Sequence, residues 1–420
     1  MANLLQTIQR FPAMANSIDA IYMVEASPEL RVAQKNLLCG EDAPMTESKV
    51  GYHSVCKYNA LPIVWTETIK SIPIGMFSPS RLTLHPLPIS SPYLLTDHPP
   101  PAHEKMPFIM AHEFFDALPI HAFELISVPP SQTTTPSQTT TDTPSPSTKT
   151  THPTLQWREL LVSPTPPGST HATLNTPPSQ SRDTPPPDFQ LTLAQAPTRH
   201  ALYLPESSPR YRALKPTTPT TPPTPGPLIE ISPDLSLYAT DFAHRIGGSP
   251  SHPKPLPSGA ALILDYGPGD GSIPTNSLRG IRRHRRVSPF AEPGLTDLSA
   301  DVDFGALAEA AVRGSEGVEV HGPVGQGVFL EGMGGGERVG MLCKAVREGR
   351  GGEAGGEKGS EEKEKGRDER EKAAEGVRRA WDRLVDRGPG GMGKLYKALA
   401  ILPENGGRRR PVGFGGDVEA

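Results

Sequence analysis

Two short segments place reactive side chains at strand ends. The first is Ile21-Tyr22-Met23-Val24-Glu25, an apolar run that ends in an acid, with Ser27-Pro28-Glu29-Leu30 opening a helix directly after it. A carboxylate at the carboxyl end of a buried parallel strand can accept hydrogen bonds from the ribose hydroxyls of a nucleotide-like cofactor. The same spacing also suits an ordinary solvated acid in a strand-to-helix loop. The second is His112-Glu113-Phe114-Phe115-Asp116, which follows the apolar run Phe108-Ile109-Met110-Ala111. A zinc site of the protease type needs a second histidine four residues after the first. Asp116 stands there instead, so no metal is expected. The segment reads as a polar cluster where a strand meets a loop, which is where open α/β sheets bind ligands. Its plainer reading is a set of polar residues capping the next helix.

A third segment, Asp265-Tyr266-Gly267-Pro268-Gly269-Asp270-Gly271, ends the most apolar run of the chain, Ala260 to Leu264. A strand followed by alternating glycines looks like a cofactor loop, because glycine lets backbone approach a ligand closely. Such a loop should lead into a helix, but Ser272-Ile273-Pro274-Thr275-Asn276 is turn-forming. A late strand with an irregular turn is the better reading. Arg279, Arg282, Arg283, Arg285 and Arg286, with His284, could grip an acidic partner or form a solvated basic loop. Asp297, Asp301 and Asp303 lie close together; Asp301 or Asp303 can cap a helix beginning near Phe304.

These segments need elements to hold them. Leu4, Ile8 and Phe11 share a helical face, with Leu5 beside them. Ile18–Val24, Leu61–Trp65 and Ala260–Tyr266 read as buried strands. Ser27 caps a helix with Pro28 at its first position and Leu30, Ala33 and Leu37 at helical spacing. Pro233–Ile246 fits an amphipathic helix. Strands alternating with helices argue for an α/β sheet. The composition dilutes this core: 420 residues carry 50 Pro and 41 Gly, with only 6% aromatics. Pro129–Thr150, much of Ser163–Pro227 and the charged run Gly349–Glu375 are expected to be disordered, since such sequence buries too little apolar surface to offset chain entropy. The net charge of -4 gives no argument for nucleic-acid binding. Cys39, Cys56 and Cys343 are scattered, which suggests a reducing compartment rather than a disulfide framework. No apolar run reaches the ~20 residues of a membrane span, and no targeting segment is evident.

Taken in order, Tyr22–Pro28, His112–His121, Leu264–Gly267 and Pro293–Phe304 resemble the MidA-like S-adenosylmethionine-dependent methyltransferases, the mitochondrial complex I assembly family. The His-Glu-Phe-Phe-Asp and Thr-Asp-Leu-Ser-Ala-Asp-Val-Asp-Phe blocks carry most of the likeness. It extends through Gln326, Phe329-Leu330 and Gly332-Met333 to Met392–Lys397 and covers about half the chain.

The resemblance implies a class I, Rossmann-like methyltransferase sheet, mostly parallel, with S-adenosylmethionine as cofactor. It implies symmetric dimethylation of an arginine in a complex I subunit in the mitochondrial matrix, with a homodimer as the oligomeric state to consider. Glu25 looks like the ribose acid. His112, Phe114 and Phe115 would lie at the cofactor site, and Glu113 and Asp116 are the catalytic acids expected to hold the substrate guanidinium. Family members place a Glu-Leu-Gly-Pro-Gly-Arg-Gly loop ahead of the helix at Met1, so the chain is expected to lack its first strand. A scaffold that binds an assembly partner without catalysis is the alternative. The domain is expected in pieces: 1–127, an insert at 128–227 with short strands near 155–162, then 228–346, a linker at 347–375, and a closing helix and strand within 376–420.

Overall fold

The computed structural model describes residues 2–11, 16–25, 27–48, 51–58, 60–67, 106–128, 154–178, 180, 184–215, 226–349, 360–408 and 410–415. The chain forms two compact units, Met1–Lys105 and Met106–Ala420. The expected run 1–127 therefore divides near residue 105.

In the first unit, helix α1 (Ala2–Gln9) precedes strand β1 (Ile21–Val24), helix α2 (Pro28–Cys39) and strands β2 (Thr46–Glu47), β3 (Tyr52–Val55) and β4 (Pro62–Thr66). The sheet order is β1-β4-β3-β2, with β1 and β4 parallel and the other pairs antiparallel. Leu5 and Ile8 of α1 join Leu38, Cys56, Ile63 and Trp65 in one core, whereas Phe11, expected on the same face as Ile8, is exposed. The orientation of α2 differs from the expected one. Leu30 and Leu37 are exposed, and Arg31, Lys35, Leu38 and Cys39 form the buried face. The two cations earn that place by hydrogen bonding: Arg31 donates to the Glu25 carbonyl and Lys35 to the carbonyls of Gly40 and Glu41. Long side chains can bury their stems while their heads cap backbone oxygens.

The second unit begins with β5 (Phe108–His112), β6 (His121–Val128), β7 (Thr154–Pro164) and β8 (Phe189–Leu193). Two short helices, α3 (Arg199–Tyr203) and α4 (Pro209–Arg212), lead to β9 (Leu228–Ile231), α5 (Pro233–Gly247) and β10 (Ala260–Tyr266). Next come β11 (Arg279–Arg282), β12 (Arg285–Val287), β13 (Asp297–Ser299) and α6 (Phe304–Gly314). The unit closes with β14 (Val318–Gly325), α7 (Gln326–Gly332), α8 (Gly335–Arg347), α9 (Ser360–Val385), α10 (Met392–Leu395) and β15 (Tyr396–Pro403).

The central sheet runs β14-β15-β10-β5. Strand β10 is interior, parallel to β5 and antiparallel to β15. Its Ala261 and Ile263 are buried with Leu399 and Ile401 of β15. The chain is thus mixed α/β, as expected, and β10 occupies the sheet interior its apolar character implied. The sheets are less parallel than expected: β1–β4 and β5–β10 are the parallel pairs among the described residues, and the remaining pairs are antiparallel.

Parts of two stretches expected to be disordered are folded. Strand β7 spans the short strand expected near 155–162, and beyond it residues 163–215 contain the rest of the β7–β8 hairpin and helices α3 and α4. They are fixed by polar anchors that composition does not reveal. Arg210 Nη2 donates to Asp303 Oδ1 at 2.8 Å, and Tyr211 Oη donates to Asp303 Oδ2 at 3.3 Å. The charged run is helical from Ser360 onward, and Ala374 is buried against Val339 and Cys343 of α8. A helix rich in Glu, Lys and Arg needs only a narrow apolar stripe to dock. Pro129–Thr150 lies outside the described residues.

Asp303 is the α6 cap, accepting the Ala306 N–H at 2.9 Å. Because the same carboxylate holds Arg210 and Tyr211, Asp303→Ala removes a cap and strands a largely buried cation. Urea unfolding should show a loss of about 2–4 kcal/mol; a loss below about 0.5 kcal/mol would mean that α4 is not anchored there.

Candidate functional site

Glu25 follows β1 and precedes α2. Its N–H donates to the Thr66 carbonyl at 2.8 Å, continuing the parallel ladder. Ser27 caps α2 through its hydroxyl, with Pro28 in the first turn, as expected. The Glu25 carboxylate is held from both sides: Oε1 accepts the Ser27 N–H at 3.0 Å, and Oε2 accepts Gln34 Nε2 at 3.0 Å. Gln34 is in turn fixed by the buried Trp65, whose Nε1 donates to its Oε1 at 3.0 Å. Among the described residues, each carboxylate oxygen therefore has one hydrogen-bond partner and keeps acceptor capacity for another hydrogen.

The second set lies at the carboxyl ends of the parallel strands β5 and β10. Here the chain turns sharply. Glu113 adopts a left-handed backbone conformation, φ +48°, which is uncommon for a residue with a Cβ and concentrates at functional positions. The turn is pinned by Asp265, the penultimate residue of β10. Asp265 Oδ2 accepts the N–H groups of Phe114 at 3.1 Å and Phe115 at 2.8 Å, and Oδ1 accepts the Tyr266 N–H at 2.9 Å. Asp265 is fully buried, at 0% exposure. Asp116 is buried beside it, accepting the Ser299 hydroxyl at 2.8 Å and, through its carbonyl, the Ala300 N–H at 2.9 Å.

Above this pair sits an aromatic and ionic group. Sheet register places Tyr266 opposite Tyr396, and their rings are 3.9 Å apart between centroids. The Tyr396 hydroxyl hydrogen-bonds both Glu113 Oε1 and the Tyr266 hydroxyl. The Arg279 guanidinium lies 5.1 Å from the Tyr266 ring centre and pairs with Asp301 at 2.6 Å. Ser277 links Asp301 to the buried Glu230, donating to Glu230 and accepting the Asp301 N–H at 2.8 Å.

Of the expected site residues, Glu113 and His112 are exposed at this strand end, and Asp116 is buried beneath it. The two phenylalanines are placed differently. Phe115 is buried against Phe242 of α5, with ring centres 5.9 Å apart. Phe114 is half-buried and packs edge-on against Tyr238 at 4.9 Å. The first glycine after β10 serves packing. Gly267, at φ +155°, would bring any Cβ within 2.4 Å of the Val302 carbonyl oxygen, so this turn is shaped by the segment entering α6. Asp265, Tyr266, Arg279 and Tyr396 were not recognised as one group, because register across 130 residues unites them.

The electrostatics follow from burial. Burial raises the Asp116 carboxyl, offset in part by the Ser299 hydroxyl and the Arg279 charge, with Glu113 opposing. Asp265 is pushed up to about 7, first by burial and then by the Asp116 charge, against the pull of its three backbone N–H groups. Two adjoining carboxyls in one dry site cannot both ionise freely. Tyr266 and Tyr396 are likewise raised, chiefly by burial.

The chain that carries this bent loop and its acid-bearing central strand belongs to the S-adenosylmethionine-dependent methyltransferase class. Residues 1–324 match the family described as "Putative S-adenosyl-L-methionine-dependent methyltransferase", and the chain belongs to that family. Among curated relatives, the Rattus norvegicus mitochondrial protein arginine methyltransferase NDUFAF7 is 27% identical over 337 residues, covering 79% of this chain and 53% of the relative. The Drosophila melanogaster homologue is 24% identical over 391 residues, covering 91% and 61%. The chain thus spans about half the length of the curated relatives it matches. A Burkholderia thailandensis crystal structure bound to S-adenosyl-homocysteine superposes with a TM-score of 0.51 at 16% identity, covering 95% of this chain and 68% of that one. At that identity it supports the fold.

The Asp116–Asp265 pair makes a signed prediction. In the folded state it retains a proton that unfolded aspartates release near pH ~3.9. Its contribution is therefore greatest at low pH and is lost as pH rises through about 7. Urea midpoints should fall between about pH 5 and pH 8, and fall less in Asp116→Asn, which leaves a single ionisable group. An equal fall in both proteins would show that the pair does not share a proton.

Proposed function

We propose that this chain is the donor-binding and acceptor-binding part of a mitochondrial-matrix protein arginine methyltransferase. Its substrate would be an arginine of a complex I subunit, dimethylated symmetrically during assembly of that complex. Family membership supports the methyl-transfer chemistry, and the names of the relatives support arginine and the mitochondrion. The observation that carries the acceptor reading is the Glu113 carboxylate, exposed on a left-handed bend at the end of β5 and oriented by the Tyr396 hydroxyl.

The residues at Glu25 fit the donor. S-adenosylmethionine carries a ribose diol, and Glu25 has one acceptor position on each oxygen beyond those used by Ser27 and Gln34. Gln34 and Trp65 act as positioning residues. When bound, S-adenosylmethionine supplies a methyl group activated by its sulfonium, so the protein need not generate an electrophile.

A guanidinium is protonated in water and is a poor nucleophile until it is oriented and relieved of a proton. Glu113 would hold it through a planar carboxylate–guanidinium pair and accept the proton displaced as the N–C bond forms. The Tyr266 ring already stacks on one guanidinium, that of Arg279, and such a face can orient another. Asp116, buried under the bend, is the positioning acid, fixing the loop through Ser299 and Ala300.

Calorimetry with S-adenosylmethionine and methyl transfer to purified complex I subunits separate these roles. Glu25→Gln should weaken donor binding about tenfold, as expected for loss of a charge-assisted hydrogen bond. Glu113→Gln should leave donor binding intact and lower kcat about 10²–10⁴-fold. Loss of donor binding in Glu113→Gln with unchanged substrate capture would move Glu113 to the donor site. Measurable donor binding without transfer to any subunit would favour a scaffold.

A further inference from the structure

Besides the strand-end residues, three side chains from separate parts of the sequence converge: His121 at the start of β6, Glu159 within β7 and His200 in α3. We propose that they bind one divalent transition-metal ion of the zinc type. The placement follows from register. Strands β6 and β7 pair antiparallel with Phe123 opposite Glu159. His121, two residues before Phe123, shares that face. Helix α3 then brings His200 over the same spot.

The geometry is that of a three-ligand site. His121 Nδ1 lies 2.7 Å from Glu159 Oε1, and His200 Nδ1 lies 3.5 Å from the same oxygen. The candidate ligand atoms all fall within 4.8 Å of one another. A tetrahedral ion with bonds of about 2.1 Å holds its ligands roughly 3.4 Å apart, so small rotamer adjustments suffice. The two imidazole rings sit 4.1 Å apart between centroids. Two imidazoles with one carboxylate select zinc-like ions over magnesium or calcium, which prefer oxygen cages.

The surroundings complete the site. The Glu159 side chain is 6% exposed, that of His121 26% and that of His200 56%, so the carboxylate forms the floor and one side opens to solvent for a fourth, water ligand. Thr198 donates to the other Glu159 oxygen while its hydroxyl caps α3 at the Ala201 N–H, 3.1 Å, an outer contact of the kind that orients metal-binding carboxylates. The ion would staple α3 to the β6–β7 pair. This inference is independent of the methyltransferase reading.

The test is zinc binding by the full chain after chelator stripping, measured by calorimetry against a competing chelator, with X-ray absorption to identify ligand atoms. One equivalent should bind through nitrogen and oxygen only. His200→Ala, at a position whose side chain is 56% exposed, should weaken binding at least tenfold, and His121→Ala/His200→Ala should abolish it. Cobalt substitution should give the visible absorption of a four-coordinate ion, lost in the double variant. No binding by a chain with native circular dichroism would overturn the proposal, leaving a hydrogen-bonded cluster around Glu159. Unchanged affinity in the double variant, or sulfur in the ligand shell from Cys39, Cys56 or Cys343, would overturn it too.

Discussion

One buried carboxylate organises the strand-end site. Asp265 receives the backbone N–H groups of Phe114, Phe115 and Tyr266, so a single side chain fixes the exit of β5 and the end of β10. Without a charged or strongly polar acceptor at that point, the N–H groups of a sharply bent loop would be buried unpaired, each at a cost of about 1–3 kcal/mol. The acid thus replaces the hydrogen bonds that a regular strand or helix would have supplied. The left-handed conformation of Glu113 is tolerated because the two residues after it are held this way.

Placing Asp116 beside Asp265 brings a second acid into the same dry region. The arrangement persists because the neighbours share the load. Ser299 and Ala300 bind Asp116, the three N–H groups bind Asp265, and Arg279 contributes positive charge while paired with Asp301. The result is a layered site: a buried acid pair below, a tyrosine pair in the middle and the exposed Glu113 and His112 at the rim. Division of this kind suits a reaction whose electrophile comes ready-made in the donor and whose protein groups mainly orient the acceptor.

The folding of the insert shows why composition misleads about order. Residues 199–212 are polar and bounded by proline-rich sequence, yet Ala201, Leu204 and Tyr211 are buried. The apolar surface they contribute is small, and the decisive contacts are specific ones to residues far along the chain: Arg210 and Tyr211 to Asp303, Ser208 to Glu309 and Thr198 to Glu159. Composition counts how much surface a segment can bury; it does not register a partner about a hundred residues away.

The sequence by itself determined the local elements: the α1 helix, the Ser27 cap, the strands at Ile21, Phe108 and Ala260, and an aspartate cap, Asp301 or Asp303, before α6. These signals are local because periodicity, capping and strand-end acids act over a few residues. Tertiary structure alone decided which face of α2 is buried, that Phe115 is core, that β10 pairs with β15 antiparallel, and that Asp265, Tyr266, Arg279 and Tyr396 form one group with Glu113. It also decided the convergence of His121, Glu159 and His200. Apart from the α2 face, these depend on strand register or on contacts between residues tens to hundreds of positions apart, and no local pattern encodes register across such distances.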